Sequence, residues 1–186
     1  MIARGRLLSL AAVAAAGPLL GLETLAGCAA TSPRERMDDF VRLSSSLLGI
    51  EGGKLVPDPD PLDVKSQIFG AAQNADASAL DALLQTARAH RGDAAALARA
   101  ALDESPPAAA RLARSILLAW LLGSWYDPQH LPGSPGASAG TVLSAQAYKE
   151  AWVWRIAQTH AMGASDVGFG SWSNAPQALA HFIGND

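Results

Sequence analysis

Cysteine is almost missing from this sequence: Cys28 is the only one in 186 residues. A single thiol cannot close an intramolecular disulfide, nor can it hold a cysteine-ligated zinc or an iron–sulfur cluster. Histidine is scarce too. His90, His130, His160 and His181 are the whole set, and no two of them stand in an HxxxH or HExxH spacing, so the paired ligands of a helical metal site are not there. Charge is sparse and of mixed sign, with a formal net charge of −3. Arg4, Arg6 and Glu23 fall in the first 27 residues, which leaves the remainder at −4. A mildly acidic body with its basic residues scattered singly offers no electrostatic footprint for nucleic acid.

Catalytic signatures are missing as well. No GxSxG occurs, and Ser171 is near His160 and His181 only along the chain, whereas a nucleophile needs a base placed beside it in space. Gly168-Phe169-Gly170 neither continues into a dinucleotide fingerprint nor follows a strand-like run. The paired carboxylates Asp38-Asp39 and Asp103-Glu104 read as solvated surface charge in a first turn and at a helix end. The expectation is a chain with no catalytic, cofactor-binding or metal-binding residues of its own.

What the chain does have starts with a leader. Arg4 and Arg6 precede a largely apolar run from Leu7 to Leu22, interrupted by Gly17-Pro18. This is the layout of a signal peptide, and sixteen residues are few for a spanning helix. Leu25-Ala26-Gly27-Cys28 resembles the lipobox of bacterial lipoproteins, which makes Cys28 a candidate for acylation. Ordinary cleavage near Ala26 or Ala30 is the competing reading. Arg4-Gly5-Arg6-Leu7-Leu8 is similar to a twin-arginine export signal, although its arginines are not adjacent. Residues 1–27 are therefore expected to be a lipoprotein-type or twin-arginine-like signal peptide, and 28–186 a single domain.

Hydrophobic residues make up 49% of the chain, enough to build a core. Ser32-Pro33-Arg34-Glu35 is a capping box with proline at the first helical position. Met37, Phe40, Val41, Leu47 and Leu48 follow at helical spacing, and Gly49 is the stop. The spacing predicts a helix over 33–48, then a loop over 50–61. A second helix is expected from Asp60-Pro61-Leu62-Asp63, with Ile68 and Phe69 facing inward. A third begins at Ser78 with Leu80, Leu83, Leu84 and Ala87 as its stripe, and a short fourth carries Leu97, Ala101 and Leu102. Ser105-Pro106 is expected to cap the most apolar segment, Ala108 to Leu122. Its residues from Ser115 on are apolar nearly all round, which marks a helix buried on most sides. After a Pro/Gly/Ser-rich loop over 127–140, Ser144 opens a last clear helix through Tyr148, Ala151 and Trp152. The expected fold is all-α, an irregular array of about five to six helices with a loop-rich C-terminal segment.

Aromatic residues are only 6% of the chain, yet all five tryptophans (Trp120, Trp125, Trp152, Trp154 and Trp172) lie between residues 120 and 172. Trp120 and Trp152 suit core packing. Trp154, two positions from Trp152, must face elsewhere on a helix. Trp154, Phe169 and Trp172 are candidate partner-contact residues, because tryptophan is enriched at the centres of interfaces.

The order of these pieces resembles a known family. Phe40-Val41-Arg42-Leu43-Ser44 with Leu47-Leu48-Gly49, then Ile116 through Gly123, Tyr148 through Trp152, and Gly168-Phe169-Gly170-Ser171-Trp172-Ser173-Asn174-Ala175-Pro176 are similar to the small (gamma) subunits of membrane-bound FAD-dependent sugar and polyol dehydrogenases. That family includes the sorbitol, fructose, gluconate and glucose enzymes. The resemblance implies a subunit without redox chemistry, partnered by a large FAD-binding subunit that it helps to export, fold and load with FAD, with a cytochrome c subunit downstream. It also implies a place in the periplasm or cell envelope, with membrane association through the partner or through a lipid on Cys28. Family members often carry a cysteine ahead of the final aromatic stretch, but Ala161 to Val167 has none, so no disulfide to a partner forms there. A free-standing envelope lipoprotein, acting as a helical binding or scaffold module, is the alternative. Labelled palmitate fed to cells expressing the chain is expected to mark the wild type and leave Cys28→Ser unmarked; label on the variant would exclude acylation of this thiol.

Overall fold

The computed structural model describes residues 31–159 and 179–184. Residues 1–27, expected to be a signal peptide, and Cys28, Phe169 and Trp172 lie outside the described residues. The first helix, α1 (Pro33–Leu48), starts and stops where its local signals put it. The Ser32 hydroxyl accepts from the Glu35 N–H at 3.2 Å, and the Glu35 carboxylate accepts from the Ser32 N–H at 2.8 Å. At the other end Gly49 takes a left-handed conformation, φ 65°, which costs a glycine little.

The stretch expected to be plain loop contains one helical turn, α2 (Gly52–Leu55), which packs against α1 and buries Leu55. Two consecutive glycines are poor helix formers, so this turn is held by what it touches rather than by propensity. Next comes α3 (Val64–Ala75), capped by Asp63 in the left-handed region at φ 46°, a conformation that aspartate tolerates better than most residues. Asp76 closes α3 and at once opens α4 (Ala77–Ala89), its carboxylate accepting from the Ala79 N–H at 2.9 Å. The stripe Leu80, Leu83, Leu84 and Ala87 is fully enclosed. Asp93 caps α5 (Ala94–Arg99), which runs into a π-helical turn over Ala100–Glu104.

The central helix α6 (Pro107–Leu122) is the hub. It packs against α1, α3, α4, the π turn and the elements that follow it. Its cap differs from the expectation. Pro106 occupies the cap position with Pro107 as the first helical residue, and the Ser105 hydroxyl instead donates back to the Ala100 carbonyl at 2.9 Å. From Ser115 to Leu122 no residue is exposed, as the all-round apolar pattern requires.

Gly123 ends α6 at φ 64°. A Cβ here would stand 2.5 Å from the carbonyl oxygen of Ala147 and from the Cα of Tyr148, so the next helix lies directly against this turn. Two short strands, β1 (Ser124–Trp125) and β2 (Thr141–Val142), pair antiparallel and close the proline- and glycine-rich loop between them. The last expected helix is in fact two: α7 (Ala145–Lys149), capped by Ser144, and α8 (Trp152–Ile156). Ala151 between them is extended, φ −57° and ψ 135°. This break turns Trp152 into the core. A final helix, α9 (Leu179–Ile183), packs on α2 and α8, and its Ile183 carbonyl accepts from the Glu51 N–H at 3.0 Å. The all-α irregular array is the observed fold, with short turns α2 and α9 added and one small two-stranded pair.

One expectation is overturned. Asp38 is exposed, but Asp39 is 2% exposed and ion-paired rather than solvated. Its carboxylate accepts from Arg42 at 2.7 Å and from Arg88 on α4, with Arg91 at 3.9 Å. Burial pushes its pKa up, but the hydrogen bonds from Arg88 and Arg42 outweigh burial and hold it below the ordinary value. A depressed carboxylate contributes stability that is present above the unfolded-state pKa, about 3.9, and is lost as pH falls through the folded-state value. Asp39→Asn is expected to lower stability at neutral pH by about 2–3 kcal/mol. Urea denaturation at neutral pH and again below pH 4 checks this: the variant's deficit should shrink in acid.

Candidate partner surface

Side chains capable of chemistry are present but not assembled. His130 Nδ1 lies 3.0 Å from the Asp127 carboxylate, both half exposed in the loop between the strands. Asp127 also accepts from the Gln129 N–H at 2.8 Å. These bonds, the Gln129 one first, hold its carboxyl below the usual range. That geometry describes a loop-closing turn, since no serine hydroxyl is bonded to His130 among the described residues. Ser44 and Ser115 are buried, and their hydroxyls have no partner among the described residues, so no described base activates either of them. Asp103 and Glu104 are exposed, with Glu104 3.5 Å from Arg99. Among the described residues no group of three or more His, Cys, Asp or Glu side chains could hold a metal. His160 and Ser171 lie outside the described residues.

The aromatic residues divide as their spacing suggests. Trp120 on α6 and Trp152 on α8 are 4% and 3% exposed and belong to the core. Trp154, two residues on, is only half-buried. Its ring meets Tyr148 edge-on with centroids 5.4 Å apart, and its N–H donates to the Tyr148 carbonyl at 2.8 Å. That bond bridges the break between α7 and α8. Trp125 in β1 packs partly into the core, and Tyr126 lies across Gly140, where an added Cβ would come 2.6 Å from the ring.

The two core tryptophans also line a cleft of about 220 Å³. One wall is the chain from Lys54 to Lys65; the other is α6, α7 and α8, where Ala119, Ala147 and Ala151 leave the space open. Leu55 completes the apolar lining, and Leu62 stands at the rim, 36% exposed. Lys65 on that rim is bound to Asp60 at 2.6 Å and Asp63 at 3.1 Å. Burial pushes its pKa down, but the two carboxylates more than restore it, for a net rise. Arg155 pairs with Glu150 and stacks its guanidinium 4.9 Å over the Trp152 ring. The Trp120 N–H is covered and has no acceptor among the described residues. A buried donor left unpaired costs about 1–3 kcal/mol. A second, shallower apolar surface is formed by Leu117 and Leu118 of α6 with Leu131, Pro132 and Leu102.

Sequence reasoning found the tryptophans and missed the wall opposite them. Lys54, Leu55 and Leu62 lie in a stretch with no hydrophobic period, and their place is set by packing across the chain. For Asp39 a signal did exist: an acid three residues before Arg42 on a helix is a ready ion pair.

The described residues contain no strand, glycine-rich turn and helix in succession of the kind that cradles a dinucleotide. A dinucleotide's pyrophosphate sits on a strand, a glycine-rich turn and the start of a helix. The described strands are two residues long, and β1 leads into the loop that β2 closes. Among the described helices none is long and apolar enough to cross a membrane.

What these features define is a small helical protein with an apolar, tryptophan-lined surface and no assembled reaction centre among its described residues. Residues 2–176 match the family model described as membrane bound FAD containing D-sorbitol dehydrogenase, and the chain belongs to that family. No curated protein and no solved structure matches it. Trp154→Phe keeps a ring against Tyr148 but removes the N–H. It is expected to cost about 1 kcal/mol in chemical denaturation, with the helical circular-dichroism signal of the folded state unchanged.

Proposed function

We propose that this chain is the non-catalytic small subunit of a membrane-associated FAD-dependent sugar or polyol dehydrogenase. In this reading it accompanies the large flavoprotein subunit through export, helps it fold and take up FAD, and then stays bound. FAD belongs to the large subunit, and electrons leave it for a cytochrome c subunit. The complex works in the periplasm or cell envelope, and the chain reaches the membrane through its partner or through a lipid on Cys28.

The observation that carries this reading is a mismatch. The family is that of an FAD-containing dehydrogenase over nearly the whole chain, yet the described residues show neither a strand–turn–helix dinucleotide cradle nor a metal-holding cluster of His, Cys, Asp or Glu. The redox chemistry then belongs to another polypeptide. Half-buried Trp154 and the cleft lined by its chain neighbours Trp152 and Arg155 are the kind of surface a partner covers. Phe169 and Trp172 are proposed as further contacts.

Expressing the large flavoprotein with and without this chain tests the role. With it, the flavoprotein is expected in the envelope fraction with a flavin absorbance spectrum. Without it, the flavoprotein should accumulate unexported and depleted of FAD. A flavoprotein that is exported and fully loaded in the absence of this chain would overturn the reading.

A further inference from the structure

We propose that the cleft between the Lys54–Lys65 wall and α6–α8 takes an extended segment of the large subunit, one apolar side chain going in and a carboxylate beside it meeting Lys54. This rests on the subunit reading above and specifies the surface that reading leaves open. Three observations point to it.

The first is volume. About 220 Å³ exceeds the roughly 150 Å³ of an apolar cavity that admits benzene, so the cleft has room for a leucine- or phenylalanine-sized side chain. Trp120 and Trp152 line it, and Ala119, Ala147 and Ala151 on the same wall leave the space unfilled. Tryptophan is among the residues on which binding energy concentrates in interfaces.

The second is the rim. Leu62, which lines the cleft, is 36% exposed. It carries the apolar lining outward onto the surface. A small ligand held inside would leave it in water, whereas a polypeptide laid across the opening would cover it.

The third is charge. Lys65 is taken up by Asp60 and Asp63, and Arg155 by Glu150. The Lys54 side chain is exposed, and its ammonium has no ion pair or hydrogen bond among the described residues. The rim therefore presents one uncommitted positive charge, and its complement is an acidic side chain next to the apolar one.

The test uses the intact two-subunit complex. A benzophenone amino acid is placed at Leu62 and, as a control, at Gln85, which is exposed on α4 away from the cleft. Irradiation is expected to join the Leu62 probe to the large subunit and the Gln85 probe to nothing. Lys54→Glu is expected to weaken association roughly tenfold while leaving the melting temperature of the isolated chain unchanged. Wild-type chain that fails to hold the flavoprotein at all sinks the subunit reading itself. Wild-type chain that holds it, while the Leu62 probe reacts only within its own chain, with a second copy or not at all, sinks the cleft proposal alone. So does Lys54→Glu binding with wild-type affinity.

Discussion

A helical stretch that is apolar nearly all round must be covered on most sides, and α6 from Ser115 to Leu122 places that demand on the molecule. Its inward residues Leu112, Ile116 and Trp120 are almost completely removed from water. Burying each such side chain contributes about 1.5–3 kcal/mol. The earlier helices α1, α3 and α4 cover one part of its surface, and the strand pair with α8 covers another. The two halves of the sequence meet on this helix, so neither has a complete core without it.

Covering α6 by close approach dictates much of the composition. Alanines 72, 79, 87, 101, 109, 113 and 119 all sit in the core cluster, where a small side chain lets backbones come near. Gly123 extends the same logic past the helix end, with α7 resting on a position that admits no side chain at all. Against this apolar background Asp39 and its arginines supply direction. Hydrophobic contact is non-directional, whereas a carboxylate bonded to Arg42 on its own helix and to Arg88 on α4 fixes how α1 lies along α4.

The parts of the fold that were legible in the sequence are those decided locally. The start of α1 is written in Ser32 and Glu35, its end in Gly49, and the α4 stripe in four residues at helical spacing. The parts that were not legible are decided at a distance. Asp39 looks like half of a surface pair until Arg88, 49 residues later, is brought to it. The break between α7 and α8 has no glycine or proline to announce it; it follows from Trp152 turning into the core while the Trp154 N–H reaches the Tyr148 carbonyl. The candidate surface was half legible for the same reason. Its tryptophans stand out in composition, but its other wall is irregular chain positioned by packing. Of the residues first singled out for partner contact, Trp154 is half-buried beside the cleft-lining Arg155, and Phe169 and Trp172 lie outside the described residues.

The tie between Ile183 and Glu51 has a practical side. It fastens the carboxyl-terminal helix to α2, and both α2 and the neighbouring α8 contribute to the tryptophan-lined cleft. A bulky insertion beside Ile183 would therefore crowd both of these elements that line the cleft. Purification handles are better placed in the exposed turn around Gly92, where an added side chain meets nothing within 4 Å.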